Sequence, residues 1–200
     1  MLLFAHIHNN EVNDGTYDET YRVKEIREGN AKAFEELFFE YHGQLIGFAN
    51  TIIKSKEYAR DIVQDVFLNI WRNREDWEIH FSLKVYLYQS VRNQALNLLE
   101  KQKTRQRLNE NLQREIENSS FNESSYSHLS DHELKLLKRI WELAEEMPER
   151  RRLVFELNRK HGLSYKEISK VLNISGKTVE NHLGQAIQFI RSKINIKDFE

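Results

Sequence analysis

The chain has no cysteine, a single proline (Pro148) and seven glycines in 200 residues. Without cysteine there can be no disulfide framework, no thiolate metal site and no cysteine nucleophile. So little proline and glycine leaves helices uninterrupted and predicts an all-α chain. No segment approaches the ~20 apolar residues of a membrane-spanning helix. The opening "MLLFAHIHNNEVNDG" lacks the basic start and sustained apolar core of a secretory leader, so a cytoplasmic location is expected. Charge of one sign is not in excess: 30 Lys and Arg against 31 Asp and Glu leave a net charge of −1. That balance gives no support to a protein that simply coats nucleic acid. Also missing are a glycine-rich phosphate loop, a nucleophile elbow and a paired acid site. No enzyme activity, cofactor or small-molecule substrate is therefore expected. His6 and His8 in "HIH" belong to an unpatterned terminus, and no metal site is expected there.

What is present is helical periodicity in two blocks. Residues 1–20 are polar and unpatterned and read as a disordered leader. From Asn30, a good N-cap, apolar residues recur at helical spacing: Phe34, Leu37, Phe38, Tyr41, Leu45, Phe48 and Ile52. A second helix from about Lys56 carries Ile62, Val63, Val66, Phe67, Ile70 and Trp71 on one side. "RNREDWEIHF" breaks the period as a structured loop, and "SLKVYLYQSVRNQALNLLEKQK" begins a third helix at Ser82 whose end is basic, as suits a helix C-terminus. Serine and asparagine then dominate "ENSSFNESSYSHLSD", the signature of a linker. Beyond it two helices divide near Met147–Pro148, where proline suits a helix start. The division predicted is a leader over 1–20, a helical domain over 21–104, a flexible linker over 105–133 and a second small helical domain over 134–200.

"LSYKEISKVLNISGKTVENHL" within the second domain reads as a helix-turn-helix. Ser164 and Glu167 fit a capping box, Asn173 suits a turn needing positive φ, and Ser175 can cap the second helix. Ile168, Leu172, Ile174, Val179 and Leu183 would then face inward. Lys177, Glu180, Asn181, Gly184 and Gln185 are left on the outer face, where asparagine and glutamine can pair with adenine, glutamate can accept from cytosine and lysine can reach phosphate or guanine.

"ARDIVQDVFLNIW", residues 59–71, resembles the region 2 helix of bacterial sigma-70-type factors, with its A-x-D-x-x-Q-x-x-F-x-x-x-W run. The helix from Ser82 resembles the next one in that family, and "MPERRRLVFELNRKHGLSYKEISKVLNISGKTVENHLGQA" resembles region 4. Three motifs in the family's order, separated by a linker and with no room for region 1.1 or region 3, look like the minimal extracytoplasmic-function (ECF) layout. The resemblance implies a factor that brings RNA polymerase core to promoter DNA, docked through Asp61, Gln64, Asp65, Phe67 and Trp71. Asp61, Gln64 and Asp65 share one helix face, opposite Val63, Phe67 and Ile70. It implies that Trp77, Lys84, Tyr86, Tyr88, Arg92 and Asn93 handle the melted −10 element, where aromatics stack on bases and cations meet phosphates. One of Tyr86 and Tyr88 is expected in the core, and the loop with Trp77 and His80 should supply a pocket for an extruded base. It implies that Ser164, Tyr165, Ser175, Lys177, Thr178, Glu180, Asn181 and Gln185 meet the −35 element. It also implies an anti-sigma partner, often membrane-bound.

Two departures stand out. Many family members carry basic residues where this chain has Glu180 and Gln185, and a tryptophan where it has Tyr86. "KTVENHL" also resembles the output domain of two-component response regulators. That leaves open a dimeric regulator binding DNA unaided through residues 148–195, or an adaptor whose helices make only protein contacts.

Overall fold

The computed structural model describes residues 15–108 and 130–194. Among these it has eight α-helices, one short 3-10 turn and no strand. In order they are α1 (Gly15–Arg27), α2 (Ala31–Ile53), α3 (Lys56–Arg72), the 3-10 turn Arg74–Asp76, α4 (Leu83–Leu108), α5 (Asp131–Glu145), α6 (Glu149–Arg159), α7 (Tyr165–Leu172) and α8 (Gly176–Lys193). They group into two compact units, Met1–Ile116 and Glu117–Glu200.

In the first unit, Asn30 caps α2: its side-chain oxygen accepts from the N–H groups of Lys32 at 3.1 Å and Ala33 at 3.2 Å. α2 ends where Lys54 turns left-handed (φ 60°), and Ser55 caps α3 two residues into the reversal. The two helices run antiparallel, since Phe34 near the start of α2 meets Trp71 near the end of α3 (ring centres 4.9 Å apart), and Phe38 meets Phe67 at 5.0 Å. α4 closes the core through Leu83, Val85, Leu87, Tyr88, Val91 and Ala95, all buried. Burial at this density supplies the main stabilisation of so small a unit.

α1 was not visible in the periodicity, and it begins inside the stretch read as a disordered leader. Its sequence has few apolar residues, but Ile26 is fully buried and Arg22 pairs with Glu40 of α2. The helix exists because tertiary contacts hold it, not because its own pattern is strong. Similarly, α4 runs past residue 104 and α5 starts at Asp131, both inside the stretch assigned to the linker. "EKQKTRQR" contains no helix breaker, and Ser130 with Glu133 forms a capping box that starts α5. The rest of the expected linker, and residues 1–14 of the leader, lie outside the described residues.

The second unit packs α6 against α8, with α5 and α7 alongside. Val154, Phe155 and Leu157 of α6 are buried, and Phe155 meets Trp141 of α5 at 5.7 Å. α6 also buries Arg152, Glu156 and Asn158. Arg152 pairs with Glu145 and lies 3.6 Å from Glu156, so its charge is compensated rather than stranded. Asn158 donates to the carbonyl of Leu163 at 2.9 Å, which fixes the turn into α7 around Gly162 (φ 62°).

Candidate polymerase-docking and DNA-binding surfaces

α3 presents a two-sided helix. Ala59, Ile62, Val63, Val66, Phe67 and Ile70 are buried, while Asp61, Gln64 and Asp65 are exposed together on the opposite face. Leu68, 48% exposed, extends that face one turn further, at i+7 from Asp61. The sequence reading passed over Leu68. The available signal was an apolar residue out of phase with the buried stripe. Phe67 is a correction: it is 2% exposed beneath Phe34 and Phe38, so it holds the hairpin together and has no surface to offer a partner. Trp71 is half-buried, its ring tilted against Phe34 with the Arg74 guanidinium 4.7 Å from its ring centre.

The loop between α3 and α4 and the first turns of α4 form a second surface. Ser82 caps α4, its hydroxyl accepting from Val85 N–H at 3.2 Å. Tyr86 is half-exposed and edge-on to Trp77 at 5.7 Å. Tyr88 is a correction. It is fully buried, 5.0 Å from the Phe48 ring, and burial raises its phenol well above the ordinary tyrosine value. Residues two apart on a helix differ by about 200°, so only one of Tyr86 and Tyr88 can face outward. Lys84 and Arg92 are half-buried and Asn93 is exposed. Partial burial lowers the Arg92 pKa from its ordinary value.

Trp77 is also a correction, being 4% exposed and so not an open stacking platform. It instead separates two cavities. One, of about 470 Å³, is lined by Asn69, Asn73, Asp76, Tyr86, Ser90 and Gln94 among others. The other, of about 670 Å³, is bounded by α1 and by Glu78, His80 and Phe81 of the loop. The Trp77 indole N–H is buried with no hydrogen-bond partner.

The third surface is α7–α8. Ser164 and Glu167 form the capping box, with the Glu167 carboxylate accepting from Ser164 N–H at 2.7 Å. Asn173 is left-handed (φ 54°, ψ 52°), and Ser175 accepts from Thr178 N–H at 3.0 Å. Ser164 and Ser175 thus already use their hydroxyls, and Thr178 is half-buried with its hydroxyl 2.8 Å from that of Ser175. Ile168, Leu172, Val179 and Leu183 are buried, and Ile174 is half-buried. Tyr165, Lys177, Glu180, Asn181 and Gln185 are exposed. Lys177 and Glu180 pair at 2.9 Å. The Gln185 carbonyl accepts from Arg151 of α6 at 2.7 Å, a link between residues 34 apart that no local pattern announces. His6 and His8 lie outside the described residues, and among the described residues no three metal-binding side chains cluster.

The family model for Sigma-70 region 2 matches residues 37–105, and that for Sigma-70, region 4 matches residues 137–190. The chain is similar to the ECF RNA polymerase sigma-E factor of Haemophilus influenzae, 24% identical over 180 residues that cover 86% of this chain and 93% of that one. It is equally similar, at 24% over 177 residues, to the Escherichia coli K12 protein of the same name, covering 86% and 92%. Among solved structures, the sigma factor RpoE of Bartonella quintana, bound to the anti-sigma factor NepR, aligns with a TM-score of 0.63 at 18% identity, over 81% of this chain and 96% of that one. CnrH in complex with the cytosolic domain of CnrY aligns with a TM-score of 0.58 at 20% identity, over 87% and 95%. A regulator working through residues 148–195 alone would leave the match over 37–105 unexplained. The two matched regions together span well over half of the sequence and contain both the α3 face and the helix-turn-helix, so the chain belongs to the sigma-70 family, as an ECF sigma factor.

Proposed function

We propose that this chain directs bacterial RNA polymerase core to specific promoters and opens them, working in the cytoplasm where the polymerase acts. The observation that carries the reading is the joining of two surfaces in one chain: the exposed Asp61–Gln64–Asp65 face in the first unit and the doubly capped helix-turn-helix in the second. In this division of labour α3 docks the core, and Leu68 adds an apolar anchor beside the carboxylates. Lys84, Tyr86, Arg92 and Asn93 hold the separated −10 strand, with the cavities beside Trp77 receiving an extruded base. Tyr165, Lys177, Glu180, Asn181 and Gln185 meet the −35 element. No step of this work calls for a catalytic residue. Two of the structural relatives are described in complex with an anti-sigma factor or a cytosolic partner domain, which supports an anti-sigma partner for this chain as well.

Run-off transcription with purified core tests the reading. Genomic promoters should yield transcripts only when core and this chain are both present. Gel shifts of duplex promoter should likewise depend on core. An equal shift by the chain alone would overturn it in favour of an autonomous regulator.

Within α8 the contacts are separable. Asn181→Ala should cost about 1–3 kcal/mol at one or two promoter positions and relax preference there. Lys177→Ala should weaken all promoters alike and flatten the salt dependence, because a phosphate contact carries no sequence information. Glu180 pairs with Lys177 in the free chain. If it accepts from a cytosine amine, Glu180→Ala relaxes one position; if it only holds Lys177, the substitution frees that lysine and tightens binding uniformly. A promoter-library selection with each variant reads all three. Unchanged preference with Asn181→Ala removes that residue from base readout.

A further inference from the structure

α1 lies outside both matched regions, yet one of its carboxylates reaches the start of α4. Glu19 accepts a hydrogen bond from the backbone N–H of Leu83 at 3.1 Å, across 64 positions of chain. Leu83 is the first residue of α4 and is 1% exposed. Its N–H is therefore one of the donors that a helix start leaves without an intrahelical partner, and here water cannot serve it. Ser82 meets the Val85 N–H of the same turn, so the first turn of α4 is held by one local cap and one distant cap. The Glu19 carboxylate also faces the positive end of the helix dipole, which strengthens the contact.

The loop over residues 77–82 runs directly into that turn. On one side of Trp77 it shares a cavity with Thr20, Val23 and Lys24 of α1, and on the other it borders the cavity lined by Tyr86 and Ser90. The loop is thus suspended between α1 and α4, and the Glu19–Leu83 bond anchors the end that leads into Tyr86.

We propose that Glu19 is a positioning residue for strand separation: by capping α4 from α1 it presets the 77–82 loop and Tyr86 for the melted −10 strand. This rests on the assignment of Tyr86, Arg92 and the loop to that strand. Without the cap the first turn frays, and capture of the strand must first order the loop.

The test uses the full chain bound to core polymerase and a fluorescent single-stranded oligonucleotide of the −10 element. Glu19→Ala should weaken oligonucleotide binding about five- to tenfold, the scale of losing a charged helix cap. Glu19→Gln keeps an oxygen that can accept from Leu83 N–H and should recover most of the loss. Affinity for core should not change in either variant. Tyr86→Ala is the reference. If it weakens binding and Glu19→Ala does not, the positioning role is overturned while the strand assignment stands. If neither weakens binding, the strand assignment itself falls. A glutamine variant as weak as the alanine variant also overturns the capping role. Where Glu19→Ala melts the first unit, Glu19→Asp takes its place, with a carboxylate one methylene too short to reach the Leu83 N–H. It should weaken oligonucleotide binding together with faster amide exchange over residues 77–83, and unchanged binding, or a loss without faster exchange, overturns the inference.

Discussion

Replacing Asp61 and Asp65 together by arginine is expected to lower affinity for RNA polymerase core by at least ~100-fold, or roughly 3 kcal/mol. Both side chains are exposed on α3, opposite Ile62, Val63, Val66 and Ile70. The double reversal changes the charge of one helix face by four units. A charge pair enclosed by a partner is worth about 2–5 kcal/mol on truncation, and reversal adds repulsion where attraction was. The fold should be indifferent, since exposed substitutions away from caps and buried networks usually stay within about 0.5 kcal/mol. α3 is capped by Ser55 and carries Glu57 in its first turn, so neither aspartate is needed to start the helix. Leu68→Ala should weaken docking by about 1–2 kcal/mol without changing its salt dependence, because the loss is apolar. Pull-down of core with variants of unchanged melting temperature is the measurement. Undiminished capture by the Asp61→Arg, Asp65→Arg chain would take polymerase docking away from this face.

How much of this was legible in the sequence depended on how local the cause was. Asn30, Ser164 with Glu167, Asn173 and Ser175 act within four residues of themselves, and the structure has each doing what its type and place predicted. The apolar stripes of α2 and α3 were equally plain, since a period of 3.6 needs no partner to be seen. α1 was invisible because its stability comes from Ile26, Arg22 and Glu19 meeting α2 and α4, contacts between distant parts of the chain. Arg151 holding Gln185 is the same kind of contact, and it alters the outer face of α8 after the helix pattern has been read. Phe67 and Trp77 failed for other reasons. Phe67 fell on the apolar side of α3 by its period and was drawn to the docking surface by the family resemblance alone, whereas Trp77 sits in a loop without period, where an aromatic suits core and surface alike. The S-x-x-E pair Ser130–Glu133 was as legible as Ser164–Glu167 but lay in a stretch read as linker.

Tyr86 and Tyr88 turn this ambiguity into an experiment with a large effect. Tyr88→Ala should destabilise the first unit by about 3–5 kcal/mol, the usual loss when a large buried aromatic is cut to a methyl group. The ring is fully buried against Phe48, and α4 closes the core around it. Docking and melting should then fail together, because α3 loses the helix it packs against. Tyr88→Phe should cost far less, since it keeps the buried ring and gives up the hydroxyl, whose bond to Gln44 is long at 3.4 Å. Tyr86→Ala should separate the two functions. Its ring is half-exposed and touches Trp77 only edge-on, so the unit should stay folded and bind core normally. Open-complex formation should fall roughly tenfold or more, because stacking of one base on an aromatic is worth about 1–3 kcal/mol. Permanganate footprinting reads this directly: −10 thymines lose reactivity with Tyr86→Ala while recruitment to duplex promoter persists. If the Tyr86→Ala complex opens promoters at the wild-type rate, stacking on this ring is not what holds the strand. The base would then have to be held by the cavities that Trp77 lines.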